Sequence, residues 1–301
     1  MSVKNFIPTL WAEKIDMALD EFLVFFDGCN HEYEGQLKKA GDSIRIQNVA
    51  RPTITTTTDG AEITLSAGGP EKPEVTSVTM PVKRQTYFDY GIYDVDKAQA
   101  AGDLDAALKH ETTQGVANDI DLAIAGVVND KGARKAFGTG GIYSSFNSGA
   151  VPTVVAGTAS SGEINVLEAL DMAQQALYEQ NVPTSEYVEV IVTPRFYTLF
   201  RRAYTKLDTG NSEILKNGKV GMYGNMTVKL SNNVQKATTT TTGDTDLIMV
   251  RTKKAIAAVK TLSKVEAYRP ERGFIDAVKG LTVHDRKLVR PKELVVLNVA
   301  Y

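Results

Sequence analysis

The residues that could do chemistry in this 301-residue chain are three histidines, one cysteine, three aspartate pairs and two glycine loops. His31, His110 and His284 fall in three separate stretches, none at metal-ligand spacing from another, and each reads as a surface or packed residue. Cys29 stands two residues before His31, a pair that could set a thiolate nucleophile beside an imidazole base. One Cys-x-His by itself is more often simple packing. The loop Gly138-Thr139-Gly140-Gly141 puts Tyr143 where a dinucleotide-binding loop needs its last glycine. Gly218-Lys219 runs into Val220 rather than a hydroxyl residue, and Glu213 stands where a phosphate loop has its first glycine. Neither GxSxG nor HExxH occurs. The pairs Asp94/Asp96, Asp103/Asp105 and Asp119/Asp121 read as helix caps and solvated faces. The expectation is a protein without catalytic residues, cofactor or metal.

Composition narrows the class further. A hydrophobic fraction of 43% and a charged fraction of 23% belong to a globular chain with a sizeable core. A net charge of −2 provides no overall basic footprint for specific nucleic-acid binding. No run of 18 or more apolar residues occurs, so no membrane span is expected. The start, MSVKNFIPTLW, lacks a basic segment followed by an apolar block and cleavage site, and is not read as an export signal. The single cysteine removes any internal disulfide framework and fits a reducing compartment.

The elements come next. Residues 9–26 read as an amphipathic helix capped by Thr9, with Trp11, Ile15, Leu19, Phe22 and Phe26 at near-helical spacing. Residues 1–36 hold two lysines against seven acidic residues. From Gly41 the pattern alternates, Ile44 and Ile46 on one face, Arg45 and Gln47 on the other. The stretch PTITTTTDGAEITLSAGG (52–69) follows, with Ile54, Ile63 and Leu65 its only aliphatic residues larger than alanine. Val75, Val78, Met80 and Val82 bring the chain back. Two limbs of this length reach about 50–65 Å. A two-stranded ribbon is marginal alone in water, and this one has too little apolar surface to cover a core. It is expected to leave the body and lie on something else.

A helix of about 28 residues, about 40 Å long, is expected after Asp103, carrying Leu104, Leu108, Val116, Ile120, Ile124 and Val127 and ending at Asp130-Lys131-Gly132. Residues 137–161 read as a long surface loop. A compact α/β unit follows: a capping box from Ser160 to Glu163 opening a helix, a buried strand over 187–193, and Thr193-Pro194 starting a second helix. Residues 207–219 read as a loop and 226–230 as a strand, and the threonines of 238–242 as a hairpin tip. Strands are expected at 247–250, 255–260, 265–268, 281–284 and 294–299, with turns near 269–273 and 289–291. Residues 250–293 hold twelve basic against five acidic residues, the reverse of the front end. Opposite charge at two ends suits a heterologous contact that closes rings. A solvated sheet face and sequence-independent phosphate contact are the other two readings.

Taken in order, the elements resemble one family, the major capsid proteins of tailed bacteriophages, whose fold encapsulins share. The stretches that carry the likeness are FIPTLWAEKI (6–15), GDSIRI (41–46), QTYFDYGIYDVDKAQA (85–100), VIVTPRFYTLF (190–200), YGNMTVKLSNNV (223–234) and GLTVHDRKLVRPKELVVL (280–297). The resemblance implies an α+β fold with an N-terminal arm (1–40) and an extended β-hairpin loop (41–88). It further implies a peripheral domain with a long spine helix (89–134 and 246–279), and an axial domain (135–245 and 280–301). Trp11, Ile54, Thr56, Ile63, Leu65, Arg84, Arg269 and Arg272 become the candidates for inter-subunit contact. The implied function is a structural subunit that self-assembles through hexamers and pentamers into an icosahedral shell around double-stranded DNA, made in the host cytoplasm and resident in the virion. Its implied partners are other copies of itself, a portal, non-specific packaged DNA and, since no long segment precedes the arm, a separate scaffolding protein. Lys72 could serve as the lysine of the isopeptide cross-link some relatives form, but no asparagine occurs between Asn233 and Asn298, so none is expected. The alternatives are an encapsulin-type compartment, which needs a cargo protein, and an enzyme built on the α/β unit of 135–245.

Overall fold

The computed structural model describes residues 24–33, 43–49, 52–54, 56, 58, 75–94, 104–206, 221–239, 243–271 and 273–301. Strands β1 (Ser43–Val49) and β2 (Val75–Pro81) pair antiparallel in one unbroken register, Ile44 opposite Met80 and Ile46 opposite Val78. Strand β3 (Arg84–Tyr93) follows, and after it helix α1 (Leu104–Ala125), extended by a 3-10 turn over Gly126–Asn129. Ile120, Ile124 and Val127, at helical spacing, are buried at its C-terminal end.

The middle of the chain builds a mixed sheet. Its strands are β4 (Arg134–Lys135), β7 (Val188–Val192), β8 (Met222–Tyr223), β9 (Met226–Leu230), β10 (Lys236–Thr239), β11 (Gly243–Thr252) and β14 (Leu294–Val299). They run in the order β4-β14-β11-β7-β9-β8, with β10 also paired to β11. Every residue of β14 is buried, as expected for a strand covered on both faces. Val188, Val190, Val192, Ile248, Val250, Val295, Leu297 and Val299 face helices α2 (Val166–Tyr178) and α3 (Pro194–Lys206). Ile191, Leu247, Met249, Leu294 and Val296 face the end of α1 and the turn around Phe25. Two apolar layers therefore share one sheet.

The remaining long strands, β12 (Ile256–Tyr268) and β13 (Ile275–Leu288), form an antiparallel sheet with β3 in the order β12-β13-β3. The two stretches read from sequence at 255–260 and 265–268 are one strand, with a register shift between Lys260 and Leu262. A single bulged residue interrupts alternation without ending the pairing.

Two expectations need correction. Residues 137–161 are not a surface loop, because Phe137 and Val154 are buried. Strand β5 (Thr153–Val155) pairs in parallel with β6 (Glu163–Asn165). The Asn298 side chain accepts from Phe137 N at 2.9 Å and donates to Phe137 O at 2.7 Å, stitching the start of this segment to β14. Gly138 can make that turn because its φ is +88°. The capping box is also displaced. Ser160 N does donate to Glu163 Oε2 at 2.9 Å, but α2 starts at Val166, where Asn165 Oδ1 accepts from Leu167 N at 2.9 Å. Strand pairing of Ile164 with Val154 takes the residues that the helix would have used.

The other elements follow the sequence closely. Strands 226–230 and 294–299 match residue for residue. Thr193 caps α3, its Oγ1 accepting from Phe196 N at 3.4 Å. The hairpin expected around the second threonine run exists as β10 and β11. Of the front helix expected over 9–26, only residues from 24 on are described, and Phe25–Gly28 form a turn. The loop expected over 207–219 lies outside the described residues.

Candidate assembly surface

The segment 24–33, which links the front of the chain to the ribbon, is held to the body at three points. On α1, Asp121 is fully buried and its Oδ1 accepts from Phe25 N at 2.8 Å and Phe26 N at 3.0 Å. Its Oδ2 accepts from Asn233 Nδ2 at 3.4 Å. Burial pushes the Asp121 carboxyl above the usual carboxylate range, and these N–H donors oppose that shift. On β11, Arg251 is fully buried; its Nη2 donates to Phe25 O at 2.6 Å and its Nη1 to Cys29 Sγ at 3.1 Å. Glu189 Oε2, opposite Arg251 on β7, lies 3.6 Å from the guanidinium. On β12, Asn30 N donates to Ile256 O at 2.9 Å and Asn30 O accepts from Ala258 N at 3.1 Å.

This clamp decides the sequence readings of Cys29 and Asp121. Cys29 is fully buried and donates to Phe25 O at 3.3 Å, and burial pushes its thiol up despite the adjacent Arg251. A raised, enclosed thiol is packing, not a nucleophile. Asp121 is no solvated residue, which corrects that part of the reading. The signal was present: Asp121 directly follows Ile120 on the buried stripe of a helix, and Arg251 lies inside the apolar run LIMVRT.

The root of the ribbon is also fastened. Ile44, Ile46 and Met80 pack on Ala257 and Val259 of β12, so the inward face of β1 finds its core there. Farther out, Val49 and Val75, a register pair, are exposed, and Ile54 is 81% exposed. The outer ribbon covers nothing in its own chain among the described residues. The three-stranded sheet shows the same character. Tyr87 is 79% and Phe274 81% exposed, and Tyr93, Val265 and Tyr268 are exposed as well. Of twelve exposed large hydrophobic side chains among the described residues, three lie on the ribbon and five on this sheet or its turn. A hollow of about 390 Å³ runs between Tyr87, Lys264, Glu266, Lys279 and Leu281. Phe88 lies over Gly280, where a Cβ would stand 2.3 Å from its ring.

Ile54 and Thr56 are exposed on the outgoing limb, so both stand where a partner could reach them. Arg84 is exposed on β3, opposite His284. Arg269 is exposed at the start of the β12–β13 turn but is engaged in its own chain, in an ion pair with Asp94 and 3.6 Å from Asp276. Trp11, Ile63, Leu65 and Arg272 lie outside the described residues, as does Lys72. Sequence reasoning passed over Tyr87, Val265 and Phe274, although rings and a branched side chain on an alternating strand were a usable sign. His110 lies on α1. His284 is buried, and neither ring nitrogen meets a partner among the described residues.

No family model and no curated protein matches the sequence. Solved structures do match, over nearly the full length. The chain superposes on a structure from Mycobacterium phage Che8 with a TM-score of 0.73 at 25% identity, covering 98% of each chain. The capsid of the cyanophage P-SCSP1u gives a TM-score of 0.74 at 17% identity, covering 100% of this chain and 95% of that one. The mature capsid of bacteriophage PhiM1 gives 0.67 at 16% identity, covering 98% and 92%. A buried two-layer sheet, an anchored ribbon that exposes Val49, Ile54 and Val75, and an aromatic three-stranded sheet thus occur in a chain that matches these structures nearly end to end. The chain thus has the fold of these phage structures, two of them capsids.

Proposed function

We propose that this chain is the structural subunit of a phage head, assembling with copies of itself into a closed icosahedral shell around double-stranded DNA. The observation that carries the reading is the outer ribbon. It leaves a clamped root, exposes Val49, Ile54 and Val75, and covers no core of its own among the described residues. Backbone pairing and shallow side-chain contact with another copy would supply what it lacks. The exposed rings on β3 and at the β12–β13 turn are the matching kind of surface: apolar, broad and edged with charge. In this reading residues 1–40 are the arm and 41–88 the reaching loop. Residues 89–134 with 246–279 form the peripheral domain, and 135–245 with 280–301 the axial domain. Hexamers and pentamers are the intermediates, and scaffolding and portal proteins come from other genes. No catalytic step, cofactor or membrane belongs to this function, and no observation favours a cargo compartment.

The test is assembly itself. The chain is expressed alone and together with the structural genes that neighbour its own, then examined by negative-stain microscopy and sedimentation. Closed shells, or rings of five and six, are expected. Monomers under both conditions, at high concentration, would overturn the proposal.

A further inference from the structure

We propose that the exposed faces of α2 and α3 are the two halves of one contact between neighbouring copies, α3 of one seated against α2 of the next. The inference rests on the self-assembly reading above and names the charged surfaces that carry it. Helix α3, PRFYTLFRRAYTK, contains three arginines and no acidic residue. Phe196, Phe200 and Ala203 enter the core at helical spacing, which turns Arg195, Thr198, Arg202 and Thr205 outward, with Arg201 beside them. Helix α2, VLEALDMAQQALY, contains two acidic residues and no basic one. Ala169, Leu170, Ala173, Ala176 and Leu177 are buried, so Glu168, Asp171 and Gln175 face out, with Glu179 following at its end.

Among the described residues, Arg201, Arg202, Glu168 and Asp171 form no ion pair. Arg195 stacks over the Tyr301 ring at 4.5 Å, and Asp171 accepts only a neutral hydroxyl, from Tyr223 at 3.2 Å. Elsewhere on the surface Lys229, Lys254, Lys264, Arg269, Arg286 and Arg290 each have a carboxylate partner. Beside Arg201 and Arg202 lies a hollow of about 540 Å³ with an apolar floor of Val154, Val155, Ala156 and Leu199. Acidic residues on a helix flanked by half-buried Leu167 and Met172 match that combination. Phosphate would suit α3 alone and be repelled by α2 on the same face of the sheet. A second copy satisfies both stripes. Because the two faces differ, the contact is head-to-tail and can close a ring.

Charge exchange tests this. Arg201→Glu with Arg202→Glu makes both faces acidic, and Glu168→Lys with Asp171→Lys makes both basic. Each double variant by itself is expected to lose assembled particles by about tenfold or more. Combining all four changes in one chain is expected to restore particles. Circular dichroism and thermal melting establish that each variant is folded. Should a reversal unfold the chain, Arg201→Gln with Arg202→Gln replaces it, and assembly is expected to weaken and to lose its sensitivity to salt. Folded single-face variants that assemble at the native yield, or an exchange that does not rescue, would overturn the inference while leaving the capsid reading intact. A native chain that never assembles would remove the capsid reading itself, and this contact with it.

Discussion

At the scale of single residues, two buried polar groups do what no surface residue could. Asp121 receives two backbone N–H groups from the linking segment, Phe25 and Phe26, at 2.8 and 3.0 Å. Asp121→Ala would leave both buried and unpaired, a cost of about 2–4 kcal/mol. Urea denaturation should show that loss, and a change under about 0.5 kcal/mol would mean that Arg251 and the Asn30 pairing with β12 hold the clamp without it. His284 sets a pH dependence. Burial lowers its pKa; Arg84 on β3 and Lys260 on β12 lower it further, while Asp119 on α1 and Asp285 beside it on β13 raise it. The folded chain thus favours the neutral ring more than the unfolded chain does. Its contribution to stability is fully present above the ordinary histidine value near ~6.5. That contribution is lost as pH falls from there through the lower folded value. Thermal melts of the native protein should therefore decline across this window more steeply than those of His284→Gln, and parallel curves would refute the assignment.

At the scale of elements, the described ribbon has a fastened root and exposed residues beyond it. Ile44, Ile46 and Met80 belong to the body by packing, while Ile54 joins no core among the described residues. Removing residues 52–69 and rejoining the limbs with a short turn should leave the melting temperature within a few degrees of native but abolish shells. Loss of folding would instead show that the ribbon covers its own body. The same division explains which elements periodicity could find. Strands 226–230 and 294–299 are continuous apolar runs with clear stops, and α3 begins at a Thr-Pro pair. Residues 137–161 lack periodicity because their order comes from Asn298, more than a hundred residues away, and from the short parallel pair β5–β6.

At the scale of the whole molecule, one sheet serves two cores, and both the segment 24–33 and the base of the ribbon lie against β12. The clamp around Phe25 fixes residues 24–33, and Ala257 and Val259 fix the described base of the ribbon. Geometry of this kind can stay constant while sequence drifts, which is why structures only 10–25% identical still superpose over 92% or more of their length. The assembly experiment belongs at this scale. A shell binds the native state and not the unfolded one, so its formation should also raise apparent stability.

Composition and alternation by themselves determined a globular chain without catalytic motifs, a coreless ribbon, a long helix, a compact α/β unit and a strand-rich end. Those are local properties, written in residues a few positions apart, and backbone periodicity reports them directly. Only the tertiary structure decided that Asp121, Arg251 and Cys29 meet, and that Tyr87 and Phe274 face water. It also decided that Arg201, Arg202, Glu168 and Asp171 form no ion pair among the described residues. Each of those depends on which distant segments are brought together, and burial is a property of that arrangement rather than of any stretch of sequence.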